Sequence, residues 1–417
     1  IWMEKELTEE LYQQFEGDII KDLMKEAKIE PTKDYLRASL EGHGFKISKA
    51  ISPGLYDLCL DVQKRLNFPD KIDYYVVNDS DVNAFTRYRI EDSQSHIVVL
   101  NSGLVKMMDD DELRFVVGHE IGHLISRYSE LHGIIDFLFP NHQRIPTVFK
   151  NKIELTGRLA ELTSDRYGFI ASGKLEKCLS NFFKLSSGLD PDRISFDAAS
   201  YLDEVNQTLD AMRQNPFDSH FTHPDNQIRI KAIEIFSQSE TYKAIMTPSK
   251  NKNKIAEDKE LADQISELLK LTFIKGSSEL ESNRSDFIIS GGYIVAAVDR
   301  ELNEVELELI VDILSNYTYF PELKLKALMD GKQNIMQVFE RSVRSILENN
   351  PVERFEMFNY LISIGIIDKK FKKEELNLIK EIGEKVFGFS GKEVAQMIAS
   401  VVSANFVPST IRRDSFA

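Results

Sequence analysis

The sequence predicts a mainly α-helical protein with one small β-sheet, followed by an all-α domain at its C-terminal end. Apolar residues recur at helical spacing through most of the chain. Three short runs rich in β-branched and aromatic residues interrupt that pattern between residues 72 and 100. A polar, turn-rich stretch at residues 247–257 then separates two parts, and only helical spacing follows it.

Within the first part, the spacing of the apolar residues changes twice. Residues 4–29 predict an amphipathic helix interrupted near Gly17. A second helix is predicted at 54–66, where Asn67-Phe-Pro69 ends it. Strands are predicted at 72–77, 83–88 and 96–100. Further helices are predicted at 110–127, 154–171, 175–187, 196–213 and 224–237.

The polar stretch sets the predicted domain boundaries. We expect a first domain at 1–246, made of N-terminal helices at 1–66 and a core at 67–246, then a linker at 247–257 and a helical domain at 258–417.

The helical domain contains an internal repeat. Asp299–Ile310 resembles Asp368–Ile379 at a constant offset of 69 residues (368 − 299), with a Glu-Leu pair at the same place in each copy. Each copy follows one apolar helix and opens another, so two similar helical hairpins are expected to pack together.

Composition excludes several classes of function. A formal net charge of −15 disfavours non-specific binding to nucleic acid or to an anionic membrane, so we expect no nucleic-acid partner. The two cysteines, Cys59 and Cys178, lie in apolar helical patterns and are predicted to be buried thiols, which favours a reducing, cytoplasmic location. The acidic N-terminal stretch does not resemble a signal peptide, and no transmembrane segment is expected.

A metal-binding motif lies in the first predicted helix after the strands. It reads H-E-x-x-H, with His119, Glu120 and His123. Histidines four residues apart share one face of a helix, so two imidazoles can bind one ion. Glu120 lies beside the first of them, where it can take a proton from water activated by zinc. Because the motif also occurs by chance on helices that bind nothing, it needs a third ligand nearby.

Glu161 is the candidate third ligand. It lies 38 residues after His123 (161 − 123) on the next predicted helix, and Asp165 follows one turn later on the same face. A catalytic zinc site needs three protein ligands and one open position, which His119, His123 and Glu161 would provide for one zinc ion per chain. Asp165 is expected to accept a hydrogen bond from the outer ring nitrogen of a zinc-bound histidine, His119.

Five features occur in one order along the chain. They are Asn83-Ala84-Phe85, a strand leading to Gly103-Leu104, an acidic stretch with Glu112-Leu113 before the H-E-x-x-H motif, Glu161 with Asp165 and with Ser164 in place of the usual alanine, and Thr222-His223-Pro224 with Arg229 nearby. With these features the sequence resembles the HtpX and CAAX-prenyl-protease type of zinc metallopeptidase, family forty-eight of the metallopeptidases, in the gluzincin group. The resemblance covers about Asp73 to Phe236.

The resemblance implies a gluzincin-like α+β catalytic domain that acts as a zinc-dependent endopeptidase on protein substrates. Asn83, Ala84 and Phe85 would lie on a sheet edge to which an extended polypeptide adds as another strand. An ordinary internal strand is the alternative. His223 would stabilise the oxyanion of the reaction, and the alternative is a histidine at a helix start bonded to the backbone. Glu120 would be the general base.

The sequence departs from the membrane-bound relatives of this type. They have transmembrane helices around the site, whereas here a short loop at about 127–152 takes their place, either as packed core or as a lid over the cleft. A soluble form is therefore expected, and prenylated substrates are not carried over.

The C-terminal part resembles the TerB-like helical domain. Asp299 and Asp368 lack the glycine that usually follows, so a metal site is not expected there. Residues 258–417 are instead expected to form an interaction or regulatory module for a protein partner. Two other interpretations remain. One is a latent or non-catalytic zinc-bearing scaffold that holds polypeptide as a chaperone does. The other is a protein whose main functional unit is this helical domain, which docks a partner and has the peptidase as its output.

Overall fold

The computed structural model describes most of the chain in two compact units. Unit 1 comprises Ile1–Ile145 and Lys152–Ile274, and unit 2 comprises Pro146–Asn151 and Lys275–Ala417. The described residues are 2–26, 31–89, 94–140, 145–189, 196–214, 225–247, 258–271, 275, 278–298, 303–330, 334–368 and 371–404.

Unit 1 contains a sheet of four strands in the spatial order β1-β2-β4-β3. The strands are β1 (Phe45–Lys46), β2 (Ile72–Val77), β3 (Ala84–Arg87) and β4 (His96–Asn101). β2 and β4 run parallel, while β1 and β3 pair antiparallel with β2 and β4 respectively. Every residue of β4 is buried, as expected for a strand covered on both faces. β3 lies at the end of the sheet.

Helices make up most of the rest of unit 1, so the predicted mainly α fold with a small sheet is confirmed. They are α1 (Trp2–Gln14), α2 (Gly17–Glu26), α3 (Pro31–His43), α4 (Pro53–Arg65), α5 (Ser102–Met107), α6 (Asp110–Ile125), α7 (Tyr128–Leu138), α8 (Thr147–Ser172), α9 (Leu175–Ser187), α10 (Ala198–Gln214), α11 (Asn226–Gln238), α12 (Glu240–Met246) and α13 (Lys259–Leu269). Residues of α8 up to Asn151 are counted with unit 2. Across the described residues, every helix is too short or too polar to traverse a bilayer.

The beginning of α6 is fixed by a buried carboxylate. Asp109 caps the helix by accepting from the backbone N–H groups of Asp111 and Glu112, and Glu112 accepts from the N–H of Asp109 at 2.8 Å. Glu112 is fully buried and also forms an ion pair with Lys184 of α9 at 2.7 Å. A capping box satisfies otherwise unpaired N–H groups, and this one also ties the helix to its neighbour.

Helices α6 and α8 approach each other at small residues. A Cβ atom on Gly122 would lie 2.7 Å from the Cα of Ser164, and one on Gly118 would lie 3.0 Å from the Cα of Gly168. Real Cβ atoms essentially never come within 3.0 Å of another atom, so glycine is required at position 122 for this packing distance. Because the crossing is tight, short side chains on α6 and α8 can meet.

One part of the predicted organisation differs from the structure. The loop expected at about 127–152 instead contains α7 and the first turn of α8, because Leu131, Ile134 and Ile135 bury one face of a helix. The division into the two units falls after Ile274, so α13 is counted with unit 1, and the predicted linker at 247–257 stays a prediction. Residues 248–257 lie outside the described part of the chain.

The described residues of unit 2 form helices and the turns that connect them. Its helices are α14 (Glu279–Ala296), α15 (Glu304–Leu314), α16 (Pro321–Met329), α17 (Ile335–Asn349), α18 (Arg354–Ile366), α19 (Lys373–Lys385) and α20 (Gly391–Ala404). The predicted repeat forms the hairpins α14–α15 and α18–α19, which pack together. Where they meet, the Tyr360 hydroxyl of α18 donates a hydrogen bond to the carbonyl of Ile288 on α14. Glu306 and Glu375, which are 69 residues apart (375 − 306), are buried, and each accepts a hydrogen bond from the backbone N–H three residues before it, that of Asn303 or Lys372.

Both cysteines are buried and free. Burial raises the pKa of the Cys59 thiol to about 12 and that of the Cys178 thiol well above its ordinary value. The prediction of buried thiols is therefore confirmed.

Candidate metal centre

The two histidines of the H-E-x-x-H motif converge on one point. They lie four residues apart on α6, and their Nε2 atoms are 3.0 Å apart. α6 is buried on several sides, with Val117 and Ile121 fully enclosed. Because the helix is held by its surroundings, the two rings are oriented before any ligand binds.

Glu161 of α8 completes the group. Its Oε1 lies 3.3 Å from Nε2 of His123, and its Oε2 lies 3.6 Å from Nε2 of His119. Among the described residues these three side chains form a cluster that could hold a metal, with ligand atoms within 4.8 Å of one another.

The donor set fits zinc. Two imidazole nitrogens and one carboxylate oxygen form an established set for catalytic zinc. Bond lengths of about 2.0–2.1 Å place the ligand atoms of a tetrahedral site about 3.3–3.4 Å apart. The three separations of 3.0, 3.3 and 3.6 Å bracket that value, so an ion fits with only small movements of the side chains.

A second layer of contacts holds the ligands in place. Asp165 Oδ1 lies 2.9 Å from Nδ1 of His119, so that nitrogen donates to the carboxylate and Nε2 is left to bind an ion. Arg229 of α11 donates to both oxygens of Asp165, at 2.8 and 2.7 Å, and its Nη2 lies 3.1 Å from Oε2 of Glu161. One guanidinium therefore pairs with both carboxylates of α8.

The carboxylates of the centre differ in their electrostatics. Burial raises the pKa of Glu120, although the neighbouring imidazoles partly oppose this. Burial also acts to raise the pKa of Glu161, but Arg229 and His123 outweigh it and hold that pKa well below its usual range. Burial likewise opposes the charge of Asp165, whose pKa Arg229 and His119 nevertheless lower. Glu161 and Asp165 are therefore ionised at neutral pH.

The cluster opens into a cleft of about 360 Å³. Its walls come from β3 and from α6, α7, α8, α9 and α11. Glu120 lines this cleft together with His119, His123 and Glu161. Asn83, Ala84 and Phe85, predicted to bind substrate, line it as well, and Ala84 and Phe85 lie on the end strand of the sheet. A cleft of this size falls within the range of about 300–1,000 Å³ that is usual for ligand-binding sites.

One predicted site residue lies outside the described part of the chain, and three residues at the site received no predicted role. His223, predicted to stabilise the oxyanion, lies outside the described residues. Arg229 received no role, because its contacts depend on how α8 and α11 pack. Tyr128 and His132 were missed because their helix was predicted as a loop, yet both line the cleft. The Tyr128 ring lies 6.3 Å from that of His123, and His132 contacts Asp136 at 3.1 Å.

Comparison with known proteins agrees with this geometry. Residues 53–236 match the family model described as Peptidase family M48. A relative named Plastoglobule-localized metallopeptidase 48, chloroplastic, from Arabidopsis thaliana is 25% identical over 228 residues, which are 51% of this chain and 65% of that protein.

Two bacterial proteins named Protease HtpX homolog are also similar. The protein from Nostoc punctiforme is 33% identical over 81 residues, covering 19% of this chain and 27% of its own length. That from a Sulfurihydrogenibium species is 36% identical over 76 residues, covering 18% and 25%. The chain thus spans less than two thirds of each of these relatives. Residues 53–236 are thus similar to peptidase family M48, and the relatives carry the names metallopeptidase and protease.

Proposed function

We propose that this chain, through its peptidase family M48 domain, is a zinc-dependent endopeptidase that hydrolyses peptide bonds of protein substrates. The observation that carries the proposal is the convergence of His119, His123 and Glu161 beside Glu120 in one cleft. One zinc ion per chain fits the donor set and the separations of the ligand atoms.

The chain's own residues supply the acid–base chemistry of the reaction. A zinc ion held by His119, His123 and Glu161 would supply Lewis-acid activation of water and of the scissile carbonyl. Glu120 takes the proton of the attacking water and delivers it to the nitrogen of the leaving amine. Glu120 follows His119 directly in the sequence of α6, and its side chain lines the same cleft. One carboxylate can therefore serve both steps.

Asp165 and Arg229 keep the centre in its working arrangement. Asp165 accepts from Nδ1 of His119, which fixes the tautomer that presents Nε2 to an ion. Arg229 is a positioning residue, since it holds Asp165 through two hydrogen bonds and reaches Glu161 as well. Both carboxylates are buried, and each needs this positive partner to stay ionised.

Substrate is proposed to bind in extended form along Asn83, Ala84 and Phe85. β3 ends the sheet, and a polypeptide that adds there passes the metal centre because both line one cleft. Stabilisation of the oxyanion by His223 stays a prediction. The same holds for a cytoplasmic location, for the TerB-like character of residues 258–417 and for their binding of a protein partner.

Digestion of denatured casein tests the proposed function. Purified protein loaded with zinc is expected to cleave casein, and a chelator is expected to stop the cleavage. Glu120→Gln should keep one zinc ion per chain but lose hydrolysis, whereas His119→Ala should lose the metal itself. The matched control is Glu41→Gln, which removes the charge of an exposed glutamate on α3.

Different outcomes separate the proposal from its alternatives. Cleavage by Glu120→Gln as fast as by the parent chain would overturn the role of Glu120 as base. Tight zinc binding without cleavage of any substrate by the parent chain would favour the latent or non-catalytic scaffold. Both measurements use the full chain, with metal content determined by elemental analysis.

A further inference from the structure

Strand β3 offers one free edge within the described part of the chain. Along its other edge it pairs antiparallel with β4, where Phe85 lies opposite Val99 and Arg87 opposite Ile97. The sheet order ends at β3, and all four of its residues line the cleft. A polypeptide bound along this edge would therefore have its side chains next to those of β3.

Phe85 and Arg87 share one face of that strand. Successive side chains of a strand point to opposite faces, so residues two apart point the same way. Phe85 and Arg87 are exposed, Phe85 by 41%, whereas Ala84 and Thr86 are half-buried. The Thr86 hydroxyl donates to the carbonyl of Ile97, back toward the sheet. An apolar and a cationic side chain thus stand two residues apart on the exposed face.

Arg87 differs from the arginine that follows it on the chain. Arg89 forms an ion pair with Asp70 at 3.3 Å. Arg87 forms no ion pair with any residue that the structure describes. Its charge is therefore available to a ligand in the cleft, which it lines.

We propose that Arg87 is a specificity-determining residue that selects extended peptides carrying an acidic side chain two positions from an apolar one. The apolar side chain would pack beside Phe85 and the acidic side chain would pair with Arg87. This inference rests on the proposed binding of polypeptide along β3.

Whether Arg87 can attract an acidic side chain in a chain with excess negative charge depends on two lengths: its distance from a bound peptide and the screening length of the surface charges. Side chains directly opposite on neighbouring strands have Cβ atoms about 4.5–5.5 Å apart. The screening length at physiological ionic strength is about 8 Å, so charges spread over the rest of the surface are largely screened at the cleft. The net charge of −15 therefore has little influence at the cleft under these conditions, and the contact with Arg87 decides which bound peptide is held longer.

Binding of three matched peptides to the full chain tests the inference. Each peptide has one Phe, flanked two positions away on both sides by Glu, Gln or Lys, and carries a fluorescent label for anisotropy. The zinc-loaded Glu120→Gln protein is used so that no peptide is cut during titration. The Glu peptide is expected to bind about two- to fivefold more tightly than the Gln peptide, as cross-strand charge pairs allow.

Variants at Arg87 should change the order of affinities. Arg87→Gln should abolish the preference for the Glu peptide, and Arg87→Glu should reverse it in favour of the Lys peptide. Lys49→Glu is the control, since it makes the same change in net charge at an exposed residue outside the cleft. If Arg87→Glu fails to fold by circular dichroism, the milder Arg87→Gln still decides.

The outcomes distinguish this inference from the proposed function. The parent chain is assayed for cleavage of the same peptides in parallel. Cleavage with an order of affinities unaffected by Arg87, or changed equally by Lys49→Glu, overturns the inference and leaves the peptidase standing. An order that follows the charge at position 87, in a parent chain that cuts neither these peptides nor casein, supports the inference and overturns the peptidase. Failure of every peptide to bind also overturns the inference.

Discussion

Each compact unit contains a junction at which two of its own helices pack closely at a glycine. The side chains around this junction are charged in unit 1 and apolar in unit 2. In unit 1, Gly122 of α6 meets the backbone of Ser164 on α8, beside the metal-binding side chains. In unit 2, Gly291 of α14 meets the side chain of Leu361 on α18, within an apolar core. Burial alone stabilises the second junction. The first buries ionised groups, so it depends on each charge having a partner.

The largest effect is expected where that partner is removed. Arg229→Met leaves Glu161 and Asp165 buried without their guanidinium, so zinc-free protein should lose about 3–5 kcal/mol of its free energy of unfolding. Urea denaturation with chelator present measures it. The control is Arg213→Met on α10, which breaks an exposed pair with Asp210 and should cost about 0–1 kcal/mol. Equal losses for the two variants would contradict the comparison.

In unit 2 the corresponding test removes apolar volume. Ile310 and Ile379 occupy equivalent places in the repeat (379 − 310 = 69), and both are fully buried. Each change to alanine should cost about 2–5 kcal/mol, and the two losses should be similar. Thermal unfolding measures both, with exposed Val352→Ala as the control. A loss at only one of the two sites would show that the copies are not equivalent in their packing.

Adding one methyl group at each junction sharpens the comparison. Gly122→Ala would force the helices apart, because the new atom meets backbone at 2.7 Å, so it should cost about 1–3 kcal/mol and lower the zinc content. Gly291→Ala should cost less, since the end of the Leu361 side chain can move away. Gly54→Ala serves as the control because its Cβ would meet nothing within 4 Å. Full zinc content in folded Gly122→Ala protein would refute the stated need for a tight crossing.

The smallest expected effect concerns the tuning of one ligand. Asp165→Asn keeps the size of the side chain but weakens the acceptor for Nδ1 of His119, so zinc affinity should fall about 10- to 100-fold. Competition with a chromophoric chelator measures this. Asp136→Asn makes the same change beside His132, which is not among the three proposed ligands, and should leave zinc affinity unchanged. Similar losses in both variants would point to a general electrostatic effect instead.

The polar side chains at the junction of α6 and α8 could largely be predicted from the sequence. His119 and His123 must share a helical face at their spacing, and the strong pattern of α8 put Glu161 and Asp165 on another face. Arg229 shows the limit of such reasoning. Its contacts join residues 64 apart along the chain, and only the packing of α11 on α8 brings them together.

The fold was harder to predict where local signals are weak. α7 lacks the usual start signal, because Arg127 precedes it with a φ of 60° and no side-chain cap, only two residues after α6 ends. The position of the domain boundary is hard to predict for a related reason. Apolar residues such as Leu261 and Ile265 identify α13 as a helix, but their spacing does not reveal which unit they pack against.

Burial of both native thiols makes cysteine chemistry a selective probe of this molecule. Maleimide reagents need an accessible thiolate, which Cys59 and Cys178 do not offer while the chain is folded. A cysteine introduced on the cleft wall could therefore be labelled alone in the wild-type background. Delayed labelling of the native pair would then record the rate at which unit 1 opens.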